Sequence, residues 1–464
     1  MKQYKSTILM LLLVSLISCK DDENIKINKY PDIEISDSII DVNYFIKKTM
    51  EEVYLWETYI PNDLDYRKYT DPKIFFEKFV YEDDYWSWVS DDYYATEDLY
   101  SGVTTTSGCE YSLSLISDGY SVIGIVEYVL PGSPAEEVGI QRGDIFTKID
   151  GTSLNYDNYY ELLTQGGTYT MTLATISDNT LYEDTTVSIT EAENFQENPI
   201  IVDTVFSIGG KKIGYLMYSS YLAEYIDEVD AVFARFKAEG VTDLVVDLRY
   251  NSGGSVAAEE AMANLIVPSS AIGEIFQKSV YNDLYNAYFT QNYGSAYLNT
   301  YFEASANSID LSGQLIGLTG DYTASASEGL LNGLEPFTEM TLIGDTTYGK
   351  YTAMWVLPDD DEDPQWAIIP VVSKTTNAND VSVKGGMAPD ILLADDPLDG
   401  YQLGDVNETF LAKAIEQITG EASTRSARVR PAFIGQSLGR FKDGKKVEAQ
   451  DHIIGWGRDF LISE

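Results

Sequence analysis

Histidine is almost absent from this chain of 464 residues: the only one is His452, close to the C-terminus. A zinc centre of clustered His and Cys ligands therefore cannot be assembled, and a Ser-His-Asp triad would have its base only in the tail. Cysteine is nearly as scarce, with Cys19 and Cys109 alone, so there is no disulfide framework. Positive charge is thin: 31 Lys and Arg stand against 74 Asp and Glu, a formal net charge of -43. Such a surface repels phosphate backbones, and nucleic acid is not an expected partner. There is no Pro-rich or low-complexity tract, and the apolar run Ile8 to Ile17 is short for a membrane span. What remains is a folded composition, 44% hydrophobic and 12% aromatic, with length for roughly two to four domains.

The N-terminus has the layout of an export signal. Lys2 and Lys5 precede the apolar run, which ends in Leu16-Ile17-Ser18-Cys19. This resembles the bacterial lipobox, which implies loss of residues 1–18 and lipidation of Cys19 within the cell envelope, at the outer membrane. A plain secretory peptide with a chance cysteine is the alternative. Lys20-Asp21-Asp22-Glu23 is similar to the signal that sends some Bacteroidetes lipoproteins to the outer face, and a solvated charge run is the bland reading.

After a tether over 19–38, Ile40, Val42, Phe45, Ile46, Met50, Val53 and Trp56 recur at helical spacing, predicting a helical unit over 39–101. From about Thr104 the pattern alternates as strands do. Ser133 and Pro134 open a short helix as N-cap and first residue, Gly139 ends it, and Asp150-Gly151 has the form of a hairpin turn. This string resembles a PDZ domain over 102–176. The resemblance implies a groove that takes an extended peptide as an added strand, with a carboxylate loop at Ser107, Gly108 and Cys109 and a bordering helix carrying Tyr156 and Tyr160. Glu110 opposes a carboxylate there. Residues 177–420 alternate strands and helices, as an α/β sheet requires, and 421–464 is a basic extension, flexible or docking, with Arg425, Arg428, Arg430 and Lys442.

Three segments of the α/β region carry chemistry. The apolar strand Leu244 to Leu248 ends in Arg249-Tyr250-Asn251-Ser252-Gly253-Gly254 before a helix, an arrangement that can present backbone N–H groups to an oxyanion; a tight turn is the alternative. Strand Leu315 to Leu318 leads to Thr323-Ala324-Ser325-Ala326-Ser327-Glu328 and a helix, which places a hydroxyl at an elbow, although Ser325 and Glu328 also have capping-box spacing. Lys350 follows Gly349 among apolar and tyrosine neighbours. A lysine can replace histidine as base when burial lowers its pKa from about 10.4 towards about 7 to 8, and an exposed loop lysine is the alternative.

Together these segments resemble the C-terminal processing peptidases, or tail-specific proteases, PDZ-containing Ser/Lys peptidases with a crotonase-like α/β core. "DLRYNSGG", "TASASEG" and "GDTTYGKYT" are the residues that carry the likeness. The resemblance implies Ser325 as nucleophile and Lys350 as base. It also implies an oxyanion hole from the amides of Ala326 and of Gly253 or Gly254, with Glu328 as cap or orienting group. With methionine at 354, support of the lysine falls outside the resemblance, to Thr352, Tyr348 or Tyr351, or else the dyad is weakly held. No cofactor or metal is implied, and the partners are unfolded or C-terminal polypeptide segments. Many relatives carry glutamine four residues after the lysine, where this chain has Met354. That departure leaves open a second reading, a catalytically silent lipoprotein that only binds peptides or envelope proteins.

Overall fold

The computed structural model describes residues 35–359, 363–421, 433–442, 445–446 and 455–456. The proposed signal and Cys19 lie outside the described residues, as does the cluster Arg425 to Arg430.

The first helix, Asp37–Val53, starts where Ser36 caps Ile39 and buries Phe45, Ile46, Met50 and Val53, the stripe that its spacing predicts. Beyond it the expected helical unit is mostly turns, with only short helices at Pro72–Phe76 and Tyr93–Ser101. Its aromatic residues do not close on themselves. Phe45, Met50, Phe75 and Trp86 share one core with Met354, Val356, Ile368 and Val371 from much later in the chain. Strand Trp88–Ser90 pairs with Ala367–Ile369, which pairs with Thr352–Pro358 and, through it, with Val371–Thr376.

The PDZ-like sheet is larger than the sequence suggested. Strands Cys109–Ile116, Val122–Val129, Ile145–Ile149, Thr168–Ser177 and Thr180–Thr190 are consecutive neighbours, so the sheet continues past 176 to Thr190. Ser133 caps helix Pro134–Glu137, and both Asp150 and Gly151 have positive φ, as a type I′ turn requires. The C-terminal extension contributes to it as well. Ile434–Lys442 is a strand of this same sheet, antiparallel to Cys109–Ile116.

The catalytic-type sheet runs Ile200–Ile208, Lys211–Tyr218, Asp243–Asp247, Gln314–Thr319, Glu339–Gly344 and Ile391–Leu392, parallel after the first pair. Leu244 and Val246 face helices Ile226–Glu239, Val256–Ile266 and Ala326–Leu334, while Val245 faces helix Thr409–Thr419. A strand covered on both faces is apolar without alternation, which is how 244–246 reads. Three parallel neighbours release their loops at the same edge: 248–255, 320–325 and 345–350. This edge, at the carboxyl ends of the strands, is where α/β sheets build sites.

Below that edge lies a buried ion network. Arg249 donates to Asp247 (2.9 and 2.7 Å), Glu408 (2.7 and 3.1 Å) and Asp395 (2.8 Å) and lies over the Phe410 ring. Arg142, from the PDZ-like unit, donates to Asp395 at 2.6 Å and to the Tyr250 hydroxyl at 2.7 Å. Burial opposes ionisation of Asp395, but Arg142 and Arg249 beside it hold its carboxyl well below the usual range. Removing Arg249 leaves the buried Asp247 without its arginine and leaves Asp395 and Glu408 to share Arg142 alone. Arg249→Ala is expected to lower the unfolding free energy by about 3–5 kcal/mol, measured by urea titration followed by circular dichroism, whereas the exposed pair Lys73–Asp91 should be worth under about 1 kcal/mol.

Candidate active site

Ser325 sits at the elbow between Gln314–Thr319 and helix Ala326–Leu334 with φ 57 and ψ -115, a conformation that few non-glycine residues adopt. What holds it there is a lattice of backbone bonds. Ala324 N donates to Asn251 O (3.2 Å), Ser327 Oγ to the same oxygen (3.1 Å), and Thr323 Oγ1 to Leu248 O (2.8 Å). Asn251 Nδ2 in turn donates to Tyr218 O. The serine elbow and the glycine loop are thus laced together.

Glu328 joins the third segment to these two. Its wholly buried carboxylate accepts from the amides of Ser325 (2.9 Å), Gly349 (2.7 Å) and Lys350 (2.8 Å) and from the Thr347 hydroxyl. The predicted cap is therefore also the clamp between the serine and lysine loops. Burial pushes this carboxyl up to about 7, outweighing the four donors that favour its charged form.

Ser325 and Lys350 line one small cavity of about 30 Å3, with Ala326, Glu259, Gln277, Gly329, Thr352 and Ala353 among its other walls. Lys350 is only 1% exposed. Its Nζ donates to Met354 Sδ at 3.3 Å and lies 5.9 Å from the centre of the Trp86 ring. The side chain that replaces the usual glutamine is thus in contact with the lysine. Thr352, expected to support the amine, does not: its Oγ1 is buried and makes no hydrogen bond. Tyr348 is 36% exposed.

The two glycines divide their roles. A Cβ on Gly253 would stand 2.9 Å from Ser325 Cβ and 3.0 Å from Ala326 N, so this residue must be bare for the loops to meet. Its own amide donates to Asn251 Oδ1 at 2.8 Å. Gly254 abuts the Tyr221 backbone, where a Cβ would lie 2.2 Å from the carbonyl oxygen, so it too must be bare for close packing. Ala326 occupies the first helical position, where an N–H has no intrahelical acceptor.

In the PDZ-like unit the expected carboxylate loop is buried and internally bonded. Gly108 N donates to Thr106 Oγ1 (2.9 Å) and Cys109 N to Ser107 Oγ (3.3 Å). Tyr156 and Tyr160, expected beside the groove, are 58% and 63% exposed, and it is Tyr159, between them, that turns inward. Helix Tyr159–Leu163 is a single turn, too short for sequence periodicity to fix which of its tyrosines faces the sheet. Trp86 was missed as a neighbour of the lysine, since nothing in the sequence couples it to a residue so far along the chain.

Residues 212–393 match the sequence profile described as Peptidase family S41, residues 41–88 that of the Peptidase S41 N-terminal domain, and residues 125–174 that of a PDZ domain. The chain is 25% identical over 274 residues to the "C-terminal processing peptidase, chloroplastic" of Tetradesmus obliquus, covering 57% of this chain and 55% of that one. It is 24% identical over 306 residues to a "Carboxyl-terminal-processing protease" of Picosynechococcus, covering 64% and 67%. The chain thus spans between about half and two thirds of the length of these relatives. A solved Bacteroides fragilis structure assigned to the S41 proteases superposes with a TM-score of 0.69 over 81% of this chain and 97% of that one at 24% identity, a likeness of fold.

The raised Glu328 carboxyl has a thermodynamic consequence. Its folded value, about 7, lies above the ordinary 4.5, so its contribution to stability is complete below about 4.5 and is lost as pH rises through about 7. Glu328→Gln does not titrate. The unfolding free energy of the native protein relative to that variant is expected to fall by about 3 kcal/mol between pH ~4.5 and ~8, read by urea titrations across the range. A flat difference would contradict the assignment.

Proposed function

Since this chain belongs to peptidase family S41, with the family's N-terminal and PDZ units, we propose that it is a serine endopeptidase of the C-terminal processing kind. The observation that carries this is a single one: Ser325 and Lys350 line one cavity, with Glu328 bonded to the backbone of both.

In the proposed reaction, Lys350 Nζ, uncharged, takes the hydroxyl proton as Ser325 Oγ attacks the scissile carbonyl carbon. The tetrahedral oxyanion forms beside the helix N-terminus at Ala326. Collapse breaks the C–N bond, and the proton passes from Lys350 to the leaving amine, which leaves an ester on Ser325. Water then gives a proton to Lys350 and attacks the ester, and that proton returns to Ser325 Oγ as the acid departs. Such a base must spend part of its time neutral, and a dry surrounding disfavours the ammonium. The substrates are polypeptides, unfolded or presented at their C-termini, as the relatives' names suggest for those proteins.

The proposal includes a place. Lys2, Lys5, the apolar run to Ile17 and Cys19 support an exported, lipid-anchored protein of the envelope, held at the outer membrane. Metabolic labelling with a fatty-acid analogue is expected to mark the protein and to be lost in Cys19→Ala.

Cleavage of an unfolded protein substrate is expected to fall by at least ~10^3-fold in Ser325→Ala and in Lys350→Ala, followed by gel and by mass spectrometry of fragments. Lys350→Arg should fail equally, since a guanidinium cannot give up its proton near neutral pH. Variants that cut as fast as the native protein would end the dyad reading. A further expectation concerns Met354. A thioether is a weak acceptor, whereas the carbonyl of a glutamine would stabilise the lysine's charged form. Met354→Gln should therefore move the acid limb of the pH–rate profile to higher pH.

A further inference from the structure

The groove that an external peptide would enter is already filled. In a PDZ-like fold the ligand is an extra strand lying between one edge strand and one helix, here Cys109–Ile116 and Tyr159–Leu163. Ile434–Lys442 occupies that place: Ser437 pairs with Ser114, Gly439 with Leu113, Arg440 with Ser112, and Phe441 with Tyr111, all antiparallel. Lys445 and Lys446 then pair back upon Phe441 and Lys442, so the segment runs past the carboxylate loop as an internal ligand.

Two of its side chains are specifically received. Phe441 is 2% exposed, its ring stacked 6.4 Å from Tyr111 on the strand side and edge-on 6.0 Å from Tyr159 on the helix side. Arg440, on the opposite face, is as deeply buried. Its Nε donates to Glu127 (2.6 Å), Nη2 to Glu110 (3.3 Å) and Nη1 to the Tyr250 carbonyl (3.1 Å), and its guanidinium lies over the Tyr128, Tyr250 and Tyr322 rings. Its backbone amide donates to the Tyr322 hydroxyl at 3.0 Å. Glu110, awkward for a carboxylate-ended ligand, is apt for this cation. Tyr250 and Tyr322 belong to the glycine loop and the serine elbow, so the strand touches the PDZ-like groove and both active-site loops at once.

We propose that residues 434–442 are a built-in ligand of the PDZ-like groove, and that the groove recognises an extended peptide carrying a cation followed by an aromatic residue. An incoming partner with this Arg-Phe pattern exchanges with the tethered strand and, in doing so, releases its hold on Tyr250 and Tyr322. A tethered occupant acts at an effective concentration in the ~mM range, so free peptide competes poorly until the tether is weakened.

The probe is a fluorescein-labelled peptide, Gly-Gln-Ser-Leu-Gly-Arg-Phe-Lys, and binding is read by anisotropy in full-length Ser325→Ala protein, so that the outcome is independent of the peptidase reading. Adding Arg440→Ala with Phe441→Ala is expected to tighten binding at least ~10-fold. A peptide with Glu for Arg should bind at least ~10-fold more weakly than the original. Equal binding with and without the double substitution, or equal binding of the two peptides, overturns the proposal. Should the double variant lose its circular dichroism signature, a second protein decides: Ser114→Cys with Ser437→Cys joins register partners. Mild oxidation is expected to cross-link it in high yield and to abolish residual peptide binding, with recovery on reduction. Absence of the cross-link, or binding undiminished by it, overturns the proposal.

Discussion

One carboxylate organises the chemistry of this molecule. Glu328 accepts from the amides of Ser325, Gly349 and Lys350 and from Thr347, so the proposed nucleophile on one loop and the proposed base on another are fixed to the same two oxygens. The remaining geometry is arranged around that fact. The positive φ of Ser325 is tolerated because its amide is held from one side by Glu328 and its neighbours are held from the other by Asn251. Gly253 has to lack a side chain because the glycine loop is drawn against the same elbow. A hub of this kind is sensitive by construction: four donors converge on a buried group, and removing it would leave each without a partner.

The second organising element is electrostatic and lies one layer beneath. Arg249, at the end of the central strand, binds Asp247, Glu408 and Asp395, and Arg142 reaches the same Asp395 from the PDZ-like unit. Glu408 also caps helix Thr409–Thr419. A single network thus sets the strand end, a helix start and the seat of a neighbouring unit. In a chain of such acidic excess, placing three arginines, 142, 249 and 440, wholly inside gives carboxylates a buried partner and uses charge for position.

The sequence was legible where backbone requirements leave a local trace. The glycine loop, the serine elbow and the strand–helix order around them carry such traces, as do the Ser133-Pro134 helix start and the Asp150-Gly151 turn. Glu328 was visible only as a cap, because its bonds to Gly349 and Lys350 cross 21 and 22 residues and leave no periodic mark. Thr352 looked suitable by proximity in sequence, but a register shift falls between Ala353 and Met354 in strand Thr352–Pro358, and it is Met354 that meets the lysine. The continuation of the PDZ-like sheet past 176 left little trace because Thr180–Thr190 is polar and largely exposed, as an outer strand can be. The C-terminal strand escaped notice for a related reason. Two glycines and a serine break its alternation, and its pairing partner lies at the other end of the protein.

The sharing of one core by the first helix and the lysine-bearing strands bears on how the molecule is made. Phe45, Met50 and Phe75 find their apolar neighbours in Met354, Val356 and Ile368, and Val371 N donates to Ser87 Oγ across 284 residues. A nascent chain emerging from the ribosome or a translocation channel therefore carries a greasy helix that only its near neighbours such as Phe75 and Phe79 can cover until the strands up to Val371 have appeared. Trp86 likewise meets the lysine only at that late moment. A product truncated before these strands cannot assemble the surroundings of Lys350, and the same delay makes the first helix the natural point of contact for a holding chaperone.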